Sequence, residues 1–344
     1  PLPRRDASTL DHLIKSMPRR TLPLIYDNLI PDNVYRLSRT LKSFVPEAWF
    51  PQWKELPPRN ASFPLPTGSH LVYFNPAISA DRLLPDGTDP LQSPGPPFVR
   101  RMWAGGYYKI NPTFRFDLHP MVQARRWVCM ESIRDIQIKG LIGDEKIFVG
   151  IERRIAPVKL DFSITDGDQR NLLWAAHEDS FNGARIIERR NIVFMTERSP
   201  ETAAALAVQI NDKILKPPHK PDFFYTITPT PSLLFRYSAL TFNAHSIHLD
   251  PEYCRKIEGH RNLLVHGPLT FTLLSLLLEN HLKCVVNPGN RKEQHILQIQ
   301  YRNLAPLYVD EPLTLCGKEL SPEKYELWAQ TPAGGIAVKA TAIT

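Results

Sequence analysis

Hydrophobic and polar positions follow two periods along this chain. From about residue 98, period-two alternation predicts three successive strands, over residues 103–117, 124–141 and 145–156. Lys139-Gly140 and Ile142-Gly143-Asp144 supply the turn between the last two. Further strands are predicted at 184–199 and 223–230, and four or five more after Leu282. Against these, residues 269–278 (LTFTLLSLLL) are apolar on every side and predict a buried helix opened by Pro268. Shorter helices are expected at 8–17, at 33–44, and from Ser199-Pro200-Glu201 to about 215, where Lys216-Pro217-Pro218 stops the last.

The 33 prolines change this picture mostly between residues 51 and 97. That stretch carries little regular structure but too much apolar character for a free linker. It is expected to wrap the domain as an ordered cover, with one strand-like run, HLVYFN, at 70–75. Gly105-Gly106 is expected just before the first strand, where backbones approach closely. Residues 157–190 are polar and turn-prone and read as an excursion between halves. Two units result, 1–165 and 166–344, the first a degenerate relative of the second.

Charge and cysteine usage narrow the function classes. The net charge of +7 suits an acidic partner, but the basic residues are scattered and not blocked, which argues against nucleic acid. The four cysteines form no C-x-x-C pair, which argues against a zinc site or disulfide scaffold and for reduced thiols in an intracellular compartment. No apolar run reaches the roughly 18 residues that a membrane span requires. The Arg- and Ser-containing opening, residues 1–20, is consistent with sequence beside a removed organellar presequence and equally with a cloning boundary.

Candidate chemistry concentrates in residues 235–282. His266-Gly267-Pro268 opens the apolar helix, with Gly267 expected at its cap and its N–H free to hold a developing oxyanion. Asn243 and His248 are five residues apart, about 500° around a helix, so only a bend lets them converge. His245 and His248 have a spacing that suits metal, yet no acidic or Cys ligand lies near them in sequence, so no metal is expected.

These residues resemble the MaoC-like, type 2 hydratase/dehydratase family. Its D-x-N-P-aliphatic-H run and later V-H-G correspond to Asn243-Ala244-His245-Ser246-Ile247-His248 and Val265-His266-Gly267. Arg236-Tyr237-Ser238-Ala239-Leu240, Glu258-Gly259, residues 311–317 and residues 100–106 (RRMWAGG) extend the match into a double-hot-dog branch similar to fungal mitochondrial 3-hydroxyacyl-thioester dehydratases. The resemblance implies an α+β double hot-dog with two antiparallel sheets, its central helix clear only in the C-terminal half. One departure bears on mechanism: Asn243 stands where the family keeps Asp, and an amide cannot act as a carboxylate base.

The implied reaction is reversible loss of water from a (3R)-3-hydroxyacyl thioester, in mitochondrial type II fatty acid synthesis in the matrix. His248 would move the proton, Asn243 orient the water or hydroxyl, and Gly267 bind the oxyanion. His245, His266 and Arg236 are the expected substrate contacts, Arg236 being the cation for a second carboxylate if the substrate is a mesaconyl- or itaconyl-type CoA ester. No cofactor is required, and the partner is acyl-CoA or acyl carrier protein. The protein is expected as a monomer containing its own pseudo-dimer, or as a homodimer. The competing class is a non-catalytic hot-dog recruited for binding or assembly.

Overall fold

The computed structural model describes residues 7–51, 53–57, 65–112, 126–141, 143–158, 165–209, 214–285 and 294–344. Among the described residues ten strands form one antiparallel sheet, in which the two sheets implied by the resemblance are continuous: β1 (Leu24–Asn28), β2 (Arg100–Ile110), β3 (Arg126–Lys139), β4 (Lys146–Pro157), β5 (Ile186–Met195), β6 (Phe223–Ile227), β7 (Gln298–Asn303), β8 (Leu313–Ser321), β9 (Lys324–Gln330) and β10 (Ile336–Ile343). The strand order is β1-β3-β4-β5-β2-β7-β10-β9-β8-β6. Read inward from each end, the two halves have the same order, so one five-stranded topology occurs twice. The two copies are joined edge to edge at β2–β7, with Gly106 opposite Tyr301. Gly105 and Gly106 lie within β2 rather than before it, and a Cβ at Gly106 would come within 1.8 Å of the Arg189 carbonyl oxygen on β5.

Helices α1 (Ala7–Ser16), α2 (Pro31–Leu41), α3 (Asp166–Leu173), α4 (Pro200–Val208), α5 (Pro231–Leu240), the single turn α6 (Pro251–Tyr253) and α7 (Gly267–Val285) complete the fold. The repeat extends to α2 and α5, which both begin at a proline soon after the first strand of their unit and pack together. The 19-residue α7 is the buried apolar helix that the sequence predicts. Leu269, Leu273, Leu276 and Leu278 on it are fully buried in the main core. Among the described residues of the first unit, the stretch between α2 and β2 holds only 3-10 turns, at Glu47–Trp49, Ser69–Val72 and Ala80–Arg82.

The Pro-rich segment covers α7 as expected. The Thr67 N–H donates to Glu279 Oε1 (2.8 Å), and a Cβ on Gly68 would meet the Thr272 backbone at 2.9 Å. The run at 70–75 is not a strand. It begins in the 3-10 turn Ser69–Val72, buried against α7 and β2, with the His70 ring 4.9 Å from Tyr108 and 6.4 Å from Phe271. Two helices also differ from expectation. α4 stops at Val208, where Gln209 turns extended, and α3 rises from the polar excursion on a capping box between Thr165 and Asp168. β5 is hydrogen-bonded to β4 and β2, so it lies with the first unit although it follows residue 165. The far end of the first predicted strand, beyond residue 112, lies outside the described residues.

Candidate active site

The bend that the spacing of Asn243 and His248 requires is built at the end of α5. Thr230 caps the helix by accepting from the Leu233 N–H, and Pro231 opens it. At its far end the Thr241 hydroxyl donates back to the Tyr237 carbonyl (2.8 Å), and Phe242 takes a left-handed φ of 49° that turns the chain. The Asn243 N–H then donates to the Ser238 carbonyl, while the Asn243 Oδ1 accepts from the His245 N–H at 3.0 Å. A 3-10 turn, Ser246–His248, delivers both histidines to the start of α7.

Three imidazoles meet there. His248 stacks on His266 with centroids 3.6 Å apart and planes 21° from parallel, and His245 stands edge-on to His248 at 5.6 Å and 84°. The His248 Nδ1 is 2.8 Å from the Leu264 carbonyl oxygen. A carbonyl can only accept, so Nδ1 carries the proton and Nε2 keeps its lone pair. His266 is fully buried beneath this ring, its Nε2 2.9 Å from the Ser238 hydroxyl. Burial disfavours the charged form of all three. It pushes His248 down to about 4, and His245 and His266 well below the ordinary histidine value. At neutral pH His248 is an uncharged base.

At the mouth of α7 the first intrahelical bond runs from the Thr270 N–H to the His266 carbonyl (3.0 Å). His266 is therefore the cap, and Gly267 the first helical residue, so the helix starts one residue earlier than the sequence suggested. Its N–H has no partner inside the helix, as at any helix start. The absence of a side chain is forced, because a Cβ here would lie 2.7 Å from the Asn303 amide nitrogen, itself held by the Trp103 carbonyl at 2.8 Å.

The imidazoles and Gly267 open onto a cavity of about 520 Å³ that draws walls from both halves. Met102, Trp103, Ile151 and Ile192 from the first unit and Val265 and Val338 from the second give it an apolar body. Arg101, Glu131 and Arg190 bring charge to it. The Arg101 Nη2 donates to the Asp89 carbonyl (2.6 Å), and Arg190 lies over the Trp103 ring while its Nε pairs with Glu188 (2.7 Å). The walls are braced by a buried ion pair between the halves, in which Arg100 of β2 donates to Glu258 at 2.7 and 2.9 Å.

Asn243, His245, His248, His266 and Gly267 all border this one cavity. Arg236 does not. Leu233, Leu234, Tyr237 and Ser238 turn one face of α5 inward, which leaves Arg236 exposed and not among the lining residues, although its neighbours Phe235 and Tyr237 are. The cations that do border the cavity are Arg101 and Arg190. Arg101 was visible within the R-R-M-W-A-G-G run; Arg190, on a strand remote in sequence, carried no signal.

With this geometry in view, the chain was compared with known proteins. It matches the family model of hydroxyacyl-thioester dehydratase type 2 over residues 68–309. The chain belongs to this dehydratase family. It is 31% identical over 283 residues to a mesaconyl-C(4)-CoA hydratase of Chloroflexus aurantiacus, covering 82% of this chain and 84% of that one. It is 29% identical over 261 residues to the mitochondrial hydroxyacyl-thioester dehydratase type 2 of Schizosaccharomyces pombe, covering 74% and 78%. Among solved structures, a MaoC-like dehydratase from Phytophthora capsici superposes with a TM-score of 0.59 at 12% identity, covering 95% of this chain and 97% of that chain. That likeness establishes the double hot-dog fold. Family membership makes the chain a hydro-lyase.

Proposed function

We propose that this dehydratase interconverts (3R)-3-hydroxyacyl thioesters and trans-2-enoyl thioesters, with His248 as the base. The observation that carries the reading is the tautomer of His248. An imidazole held neutral by burial, with Nδ1–H committed to the Leu264 carbonyl, presents a bare Nε2 to the cavity that Gly267, the first residue of α7, also lines. In dehydration Nε2 takes the C2 proton, and the electron pair left behind moves onto the thioester oxygen. The Gly267 N–H, aligned with the helix dipole, stabilises that oxyanion. As the enolate collapses, the C3–O bond breaks, and the proton passes from Nε2 to the departing oxygen as water forms.

Asn243 contributes no base. With its Oδ1 engaged by the His245 N–H, its amide donors are left for the oxygen of the hydroxyl or water. His266, buried beneath His248 and bonded to Ser238, positions that ring and does not touch substrate. The substrate is an acyl-CoA or acyl carrier protein thioester. The mitochondrial name of the Schizosaccharomyces pombe relative supports a mitochondrial location, and the proposed setting is type II fatty acid synthesis in the matrix. The functional units divide after β5 and not at residue 165, and the paired units supply within one chain what a dimer would, as a monomer or a dimer of such chains.

A second reading has its own support. Arg101 and Arg190 in the cavity wall suit a substrate with a second carboxylate, as in the relative named for mesaconyl-C(4)-CoA. The test is hydration of crotonyl-CoA, longer trans-2-enoyl-CoA esters and mesaconyl-CoA by the purified protein. Turnover of the simple enoyl esters is expected; turnover of mesaconyl-CoA alone would replace the first reading by the second.

A further inference from the structure

We infer that the carboxylate absent from position 243 is supplied from the other half of the chain, where Asp86 holds His245 so that this imidazole orients the water or the 3-hydroxyl. The inference rests on the dehydratase reading above and assigns that site a second histidine and its positioning residue.

Asp86 lies in the Pro-rich cover, in the turn Pro85-Asp86-Gly87, and is buried. Two contacts seat this turn on the site loop. The Ser246 N–H donates to the Asp86 carbonyl at 2.8 Å. Gly87 has a φ of 83°, and a Cβ there would lie 2.1 Å from the Ala244 carbonyl oxygen, so only glycine permits the approach. The Asp86 Oδ1 is occupied by the Thr88 N–H (2.9 Å) and hydroxyl. Its Oδ2 is enclosed, bonded to nothing else, and 3.5 Å from the His245 Nε2, which is also enclosed and without another partner.

A buried donor or acceptor left unpaired is costly, so each of these atoms has the other as its remedy. The proton of the neutral His245 ring therefore belongs on Nε2, facing the carboxylate, and the Nδ1 lone pair is left for the cavity that His245 lines. His248 has the reverse arrangement, with Nδ1 protonated and Nε2 bare. One cavity thus holds two neutral imidazoles offering different ring nitrogens, edge to face. Nε2 of His248 serves C2, and Nδ1 of His245 accepts a hydrogen bond from the hydroxyl on C3. The bookkeeping closes: the C2–H pair becomes the C2=C3 π bond and the C3–O pair leaves with oxygen. The C2 proton reaches that oxygen through His248. His245 and Asp86 end the cycle in the protonation states in which they began.

The test is kcat and KM for crotonyl-CoA hydration in the wild type, Asp86→Asn, His245→Gln and the double variant, with folding checked by thermal unfolding. Each single variant is expected to lose roughly 10²-fold in kcat with KM nearly unchanged. The double variant should be no worse than His245→Gln, because Asp86 acts through that ring. Losses that multiply in the double variant, or an Asp86→Asn protein with wild-type kcat, overturn the inference and leave the dehydratase reading intact. If Asp86→Asn does not fold, wild-type kcat in His245→Gln overturns it instead. A wild-type protein inert toward every enoyl thioester overturns the dehydratase reading and this inference together.

Discussion

The two halves share a strand order yet differ in what they place against the sheet. In the C-terminal half a 19-residue apolar helix lies there, its N-terminus opening beside the imidazoles. In the N-terminal half the described cover segment and its 3-10 turns lie over α7, and the sheet beneath is charged. Arg153 is fully buried between Glu131 and Glu188, with Arg154 bonded to Glu152 nearby. Paired charges of this kind stabilise little over apolar packing but are costly to break. The difference is one of division of labour. On the proposed reading, the half that carries α7 supplies the base and the oxyanion donor, while the other supplies cavity wall, cations and the Asp86 turn.

The contact expected to matter most to this arrangement is the Arg100–Glu258 pair that joins the halves. Arg100→Ala removes both guanidinium bonds to the buried Glu258 carboxylate, and urea denaturation should show a loss of about 3–5 kcal/mol. An unchanged midpoint would mean that the β2–β7 edge, α2–α5 packing and the cover segment's contacts hold the halves without this pair. Next comes the start of α7. Gly267→Val drives a side chain into the Asn303 amide and displaces the N–H, with an expected loss of about 10² to 10³ in kcat and a smaller effect on thermal stability.

A pH dependence follows from the buried imidazoles, His70 of the first half being shifted in the same direction as those of the second. Burial lowers His248 from 6.5 to about 4, so the unfolded chain binds that proton more readily. The resulting stabilisation is complete above about pH 6.5 and is lost as pH falls toward 4, by about 2 kcal/mol at pH 5. His245 and His266 are shifted in the same direction and add to it. Urea midpoints at pH 7 and pH 5 measure the slope, which His248→Gln should flatten.

Much of this was legible in the sequence because it is local. The strands announce themselves by alternation, and α7 by an apolar run too long for a strand and opened by proline. The spacing of Asn243 and His248 also showed that only a bend could bring them together. The run at 70–75 misled because a short apolar segment buried on all sides carries no period, and proline-rich flanks leave it no ladder to join. α3 was hidden because Thr165 and Asp168 serve turns and caps equally well. Arg236 looked like a ligand until the inward face of α5 was fixed by Leu233, Leu234 and Tyr237. The pairing of Asp86 with His245 has no local signature. It exists only once the cover of one half is laid on the loop of the other.

The central claim is that the C-terminal half carries the base. Its most direct test is crotonyl-CoA hydration by His248→Ala beside the wild type, with folding confirmed by circular dichroism. The account predicts a folded variant whose kcat has fallen by about 10² to 10⁴. A folded variant that still turns over at the wild-type rate would contradict it.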